Sequence, residues 1–171
     1  HNLEQIKTRL LAQGYRIPLV ADVHFNPRIA ETAALFVEKV RINPGNYAIG
    51  NTQKGDFEKV RGAFLKLLET LKKHHTALRI GVNHGSLSQR IMDQYGDTPR
   101  GMTLSAMEFL RICHQARFHQ VVVSMKSSNT RVMVQANRLL VHQMLRENLV
   151  YPLHLGVTEA GEGEDARIKS A

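Results

Sequence analysis

The sequence predicts an α/β protein and, within that class, an incomplete (β/α)8 TIM barrel of about five parallel strands with intervening helices. Three observations predict it. Short apolar runs alternate with longer segments of helical period, and each run ends in a cluster of polar residues. A closed barrel needs about 250 residues, or about 31 per unit, so a chain of 171 residues falls roughly three strands short. The segments read as one partial domain over 1–171, because no linker, repeat or low-complexity tract divides them. A complete five-stranded doubly wound sheet also fits the length, but such a sheet gathers its ligands at one switch point rather than at every strand end.

The elements follow in order. Leu3, Ile6, Leu10 and Leu11 mark a first helix. PLVADVHF, from Pro18 to Phe25, is the first strand, and Val37 to Asn43 the second. Phe57, Val60, Phe64, Leu67, Leu68 and Leu71 form the apolar stripe of a helix with Asp56 placed to cap it. ALRIGVN, Ala77 to Asn83, is the third strand. A helix over Thr103–Ala116, carrying Leu104, Met107, Leu110 and Ile112, leads to QVVVSMK, Gln120 to Lys126. Thr130–Leu145 supplies another helix, and Pro152 to Thr158 a fifth strand. Strand–helix alternation of this kind builds right-handed βαβ units and a parallel sheet.

Composition excludes several classes. Hydrophobic residues at 43% and charged residues at 22% describe a globular chain rather than a disordered one. No apolar run approaches the ~18–20 residues of a membrane span, and the opening HNLEQIKTRLLAQG is polar and helix-patterned rather than a signal peptide. Cys113 is the only cysteine, which rules out a disulfide framework and any iron–sulfur or thiolate zinc site built from this chain alone. The formal charge of +8 calls for an anionic partner, either nucleic acid or a phosphorylated small molecule.

Polar residues recur two apart at the strand ends, where they share a face. Asp22 pairs with His24, Arg41 with Asn43, Arg79 with Asn83 across Gly81, and Ser124 with Lys126; Glu159 follows the last strand. Parallel strands bring such residues to one rim, the place where sites occur in barrels and open α/β sheets. Taken singly, each has a structural reading. Asp22 caps a helix starting at Pro27, His24 is a satisfied core imidazole, and Arg41 or Arg79 pairs with Asp22 or Glu159. Asn43-Pro44-Gly45-Asn46 is turn chemistry. Recurrence favours function: Arg41, Arg79 and Lys126 repel one another on a common rim unless an anion sits among them, and a diphosphate offers Arg bidentate geometry.

The remaining signals are weak. Nine histidines come without a His-Glu-x-x-His or Cys-x-x-Cys motif, so no metal site is predicted. Gly161-Glu162-Gly163 lacks the strand-to-helix setting of a dinucleotide fingerprint. Two rival functions stay open: another phosphate-handling barrel with Lys126 as a Schiff-base lysine, and a basic nucleic-acid module supported only by net charge.

PLVADVHFNPRIA, VRINPGNY, RIGVNHGSLSQRIMDQYGDT, VVVSMKSSN and YPLHLGVTEAG, in this order and spacing, closely resemble the 4-hydroxy-3-methylbut-2-enyl diphosphate synthase family. The resemblance runs from Pro18 to Ala171 and is closest to the longer variant of plants and some bacteria. It implies a TIM barrel joined to a domain holding a four-iron four-sulfur cluster. It also implies reductive opening of 2-C-methyl-D-erythritol 2,4-cyclodiphosphate with electrons from ferredoxin or flavodoxin. On that resemblance Arg41, Arg79 and Lys126 clamp the diphosphate, and Asn43, Asn83 and Ser124 add hydrogen bonds. Asp22 and His24 orient the substrate or waters, and Glu159 handles a proton with a pKa raised by partial burial. Set against the family, the first two barrel strands, the last strand, the extra domain and the cluster domain are missing. Cys113 matches no cluster ligand, so this chain alone is expected to bind no cluster and to be inactive. A homodimer when full length, no nucleic-acid or membrane partner, and a cytoplasmic (bacterial) or plastid (plant) setting complete what the resemblance implies.

Overall fold

The computed structural model describes residues 2–47 and 57–171; the expected cap Asp56 lies outside them. The order is α1 (Asn2–Ala12), β1 (Val20–Val23), α2 (Pro27–Ala33), β2 (Lys39–Ile42), α3 (Phe57–His74), β3 (Ala77–Asn83), α4 (Gln89–Tyr95), α5 (Pro99–Gln115), β4 (Val121–Lys126), α6 (Thr130–Arg146) and α7 (Gly163–Ser170). The four strands form one parallel sheet in the order β1-β2-β3-β4. Every strand lies beside its sequence neighbour, as in a barrel wall. No position reverses the order, which removes the doubly wound alternative.

Right-handed crossovers taken in one direction place all connecting helices on one side of the sheet. Side chains alternate along each strand, so every second residue meets those helices. Val40, Ile42, Leu78, Ile80, Val82, Val121, Val123 and Met125 do so and are buried. They pack in one core with Ala30 of α2, Phe64, Leu67 and Leu71 of α3, Met102, Ala106 and Leu110 of α5, and Ala136 and Leu140 of α6. The alternate residues form the opposite face, over which none of these helices passes. Val20, 47% exposed, and Asp22 lie there.

Three sequence expectations change. Pro152–Thr158 is not a strand: it makes two isolated parallel bridges, Leu153 to Val123 and Val157 to Ser127. An edge segment paired on one side has only half the hydrogen bonds of a central strand, and the ladder lapses around Gly156. The helix expected from Thr103 begins at Pro99, because Thr98 caps it by accepting from the Gly101 amide at 3.1 Å. Asn26, not Asp22, caps α2, its Oδ1 accepting from the Arg28 amide at 3.0 Å. The first helix packs loosely. None of its residues is buried, and a Lys7–Glu38 ion pair ties it to the sheet, where Glu38 also accepts from the Leu19 amide at 2.7 Å.

Candidate active site

The open face carries the polar residues singled out above, and the strand register sets their levels. Asp22, Arg41 and Arg79 are opposite one another on β1, β2 and β3. Gly81 is opposite Ser124, and Asn83 opposite Lys126. Lys126 therefore does not stand level with the two arginines. It sits two side-chain layers nearer the C-terminal rim, and its length carries its charge back toward them.

Arg41 is the centre of a network. Arg41 is buried at 5% exposure, yet its guanidinium finds acceptors on both flanking sides, along β1 and just past its end, and along β3. Nη1 donates to Asp22 Oδ1 at 2.8 Å and lies 2.9 Å from His24 Nε2. Nη2 donates to the Gly81 carbonyl at 3.1 Å and to Asn83 Oδ1 at 3.4 Å. Burial of a cation is tolerable only when it is paired and hydrogen-bonded, as both terminal nitrogens are here. Glycine at 81 makes the arrangement possible, since a Cβ there would overlap Arg41 Nε. His24 is oriented from its other side by Asn46, whose Nδ2 is 3.2 Å from Nδ1, while the buried Asn46 Oδ1 has no donor. Turning that amide over makes the contact with His24 complementary: Oδ1 receives the imidazole Nδ1–H, and Nε2 accepts from Arg41.

Arg79 and Lys126 are different. Neither has a hydrogen-bonding or ion-pair partner among the described residues, and Arg79 Nε is buried without one. Burial, then the Arg41 charge, holds the Arg79 pKa below its usual value, with Asp22 opposing. Burial, then Arg79 and Arg41, likewise lowers that of Lys126. Both shifts mean that the cationic forms are uncomfortable here and gain from an anion.

The other expected residues are placed as follows. Asn43, 1% exposed, uses both ends of its amide internally, donating to Ser86 Oγ and accepting from the Gly45 amide, each at 2.9 Å. It ties the end of β2 to the loop after β3, and a Cβ on Gly45 would overlap the Ser86 carbonyl. That loop is further held by Asp97 Oδ2, which accepts from the Gly85 amide at 2.7 Å. Ser124 is buried on the open face beneath the rim. Glu159 is exposed, which corrects the expected partial burial. The chain leaves the sheet edge at this point through left-handed Glu159 (φ 54°) and Gly161 (φ 93°), and no described element packs over the carboxyl. Asn46 was not anticipated; its place in a turn-forming tetrapeptide hid its contact with His24.

Residues 1–171 match the family model described as GcpE TIM-barrel domain. The chain belongs to that family. Among curated relatives of this GcpE barrel chain, 4-hydroxy-3-methylbut-2-en-1-yl diphosphate synthase (flavodoxin) of Phocaeicola vulgatus is 59% identical over an alignment of 181 residues. That alignment covers 99% of this chain and 30% of the relative. The protein of the same name from Parabacteroides distasonis is 58% identical over the same shares. 4-Hydroxy-3-methylbut-2-en-1-yl diphosphate synthase (ferredoxin), chloroplastic, of Oryza sativa subsp. japonica is 52% identical over 98% of this chain and 24% of the relative. The chain thus spans about 30% of the length of the first two relatives.

The iron–sulfur cluster implied by the family resemblance does not fit the residues present. The sole cysteine, Cys113, is fully buried on α5, and burial pushes its thiol up to about 12. A thiol so held offers no thiolate to a metal. No group of three or more metal-ligating side chains occurs among the described residues, and no described helix is long and apolar enough to cross a membrane.

Proposed function

We propose that this chain is the diphosphate-binding part of the barrel of a 4-hydroxy-3-methylbut-2-enyl diphosphate synthase, the enzyme that reductively opens 2-C-methyl-D-erythritol 2,4-cyclodiphosphate. The single observation that carries the reading is the pair of cations with no side-chain partner among the described residues, Arg79 and Lys126, beside the Arg41 network on one open face. Crowded cations of this kind store an unfavourable interaction that a doubly charged anion relieves.

Within that site the roles divide. Arg79 and Lys126 grip phosphate oxygens directly. Arg41 spends its donors on Asp22, His24, Gly81 and Asn83, so it contributes charge from below and fixes the carboxylate and imidazole above it. Asp22, 55% exposed at its side chain, and His24 face the substrate or its waters. Asn83 and Ser124 add hydrogen bonds, and Asn43 shapes the rim. Glu159, on the exposed loop after the last bridge, supplies the proton for the departing oxygen when substrate covers it. The electrons would come from flavodoxin or ferredoxin, the donors in the relatives' names, and a cluster that would relay them finds no ligand set among the described residues. The working assembly is a homodimer, in the cytoplasm of a bacterium or a plastid.

Calorimetric titration with the cyclodiphosphate and with inorganic pyrophosphate tests the reading. Binding by the wild type, weakened about tenfold or more by Arg79→Ala, supports it. No binding of either anion, together with steeply salt-dependent binding of arbitrary oligonucleotides, would instead favour the nucleic-acid reading. The lowered Lys126 pKa also suits a Schiff-base lysine; borohydride trapping with a carbonyl substrate would be required to sustain that alternative, and the relatives' names give it no support.

A further inference from the structure

His154 stands on the same open face and has no part in the roles above. Leu153 bridges to Val123 and packs against the core, so alternation turns the next side chain the other way. The His154 amide donates to the Val123 carbonyl at 2.8 Å, which fixes the backbone there. Gly156, two residues on, confirms the facing: Lys126 Cε lies 3.2 Å from the position its Cβ would take. His154 therefore shares a face with Lys39 of β2, Arg79 of β3 and Lys126 of β4. On the same face, Asp22 of β1 is already bound by Arg41, and His24 lies between Arg41 and Asn46.

We propose that His154 is a further anion-binding residue of this face, donating a hydrogen bond to the diphosphate and taking up a proton as it binds. The inference rests on the reading of the face as a diphosphate site. His154 is exposed, and the partial desolvation of its ring, then the charges of Arg79, Lys126 and Lys39, holds the imidazole pKa below its ordinary value. Protonation without ligand would add one more positive charge to a face already crowded with them. A bound diphosphate reverses the sign of the local field and presents oxygens that accept from imidazolium N–H groups. The proton comes from solvent and goes to the imidazole nitrogen that lacks one. By linkage, a ligand that raises this pKa must itself bind more tightly as pH falls through the histidine range.

The test is calorimetry with inorganic pyrophosphate on the intact protein and on His154→Gln, in buffers of different ionisation enthalpy. Protonation of pyrophosphate itself is common to both proteins, so their difference isolates the histidine. The expected result is about tenfold weaker binding by the variant near about pH 6, less than about twofold near about pH 8.5, and fewer protons taken up per ligand bound. Identical proton uptake and identical pH profiles overturn the role of His154 while leaving the diphosphate site standing. Absence of pyrophosphate binding by the wild type at any pH overturns both. In the unsubstituted protein, the His154 imidazole resonance titrates with a higher midpoint when pyrophosphate is present; an unmoved midpoint also overturns the inference.

Discussion

The two faces of one sheet, built from alternate residues of the same strands, follow opposite rules. On the helix-covered face, Val40, Ile42, Leu78, Ile80 and Val123 are fully buried. Two ion pairs tie the elements behind it together, Arg90 with Glu108 at 2.5 Å and Arg111 with Glu147 at 2.6 Å. On the open face, Arg79 and Lys126 crowd together with no side-chain partner among the described residues, and the carboxylate of Asp22 is taken by Arg41. Packed apolar side chains and unpaired cations are thus separated by one residue along each strand.

The comparison can be broken most sharply in the core. Ile80→Ala should cost about 2–5 kcal/mol in urea unfolding, because the packed helices cannot collapse onto the cavity. Val122→Ala, half-buried on the open face, should cost under about 1 kcal/mol. Equal losses would show that the faces are not energetically distinct. Gly81→Ala comes next, since its methyl displaces the Arg41 guanidinium and releases Asp22, His24 and Asn83 together. Pyrophosphate affinity should fall about tenfold or more, with a stability loss of about 1–3 kcal/mol. Wild-type affinity in this variant would remove Arg41 from the site.

Lys126→Ala sharpens the comparison from the other side. Pyrophosphate binding should weaken about tenfold while the unliganded protein keeps or gains stability. The sign follows from the lowered folded-state pKa. The unfolded chain binds the proton more tightly, so wild-type stability rises with pH from the depressed value up to the unfolded value of 10.5. Loss of that rise in the variant is what thermal melting across alkaline pH should show. Glu147→Gln has the smallest expected effect. Hydrogen bonding from Arg111, chiefly, draws the carboxyl down from 4.5 to about 2, so its contribution is complete above pH 4.5 and lost as pH falls through about 2. The variant should lose less than about 1 kcal/mol near neutrality, and the difference should vanish in acid. A pH-independent difference would mean that packing, rather than charge, supports the pair.

Legibility from sequence varied with how local the cause was. β3 has the bounds its apolar run predicts, Ala77–Asn83, and β4 differs by one residue. β1 and β2 are shorter than PLVADVHF and Val37–Asn43 because Pro18 has no amide to donate and the polar ends turn away into loops. α4 gives no sequence signal because its seven residues bury only Ile91, and α7 gives none because it buries nothing and so leaves no apolar stripe. For the site, the i, i+2 spacing placed Asp22, Arg41, Arg79 and Lys126 on one face. It did not distinguish Arg41, which is tied down on four sides, from Arg79, which is not. That difference arises from a register in which Asp22 and Gly81 flank Arg41 from separate strands. His154 was hidden for the same reason, since its facing depends on Leu153 meeting Val123.

The sequence by itself determined the strand–helix rhythm, the apolar stripes, the excess of positive charge and the family, because each is written in spacing and composition along the chain. Only the tertiary structure decided which cations are satisfied and which are left open to an anion. That outcome depends on distances between residues far apart in sequence, where electrostatics and hydrogen bonding change over an ångström or two while hydrophobic patterning does not.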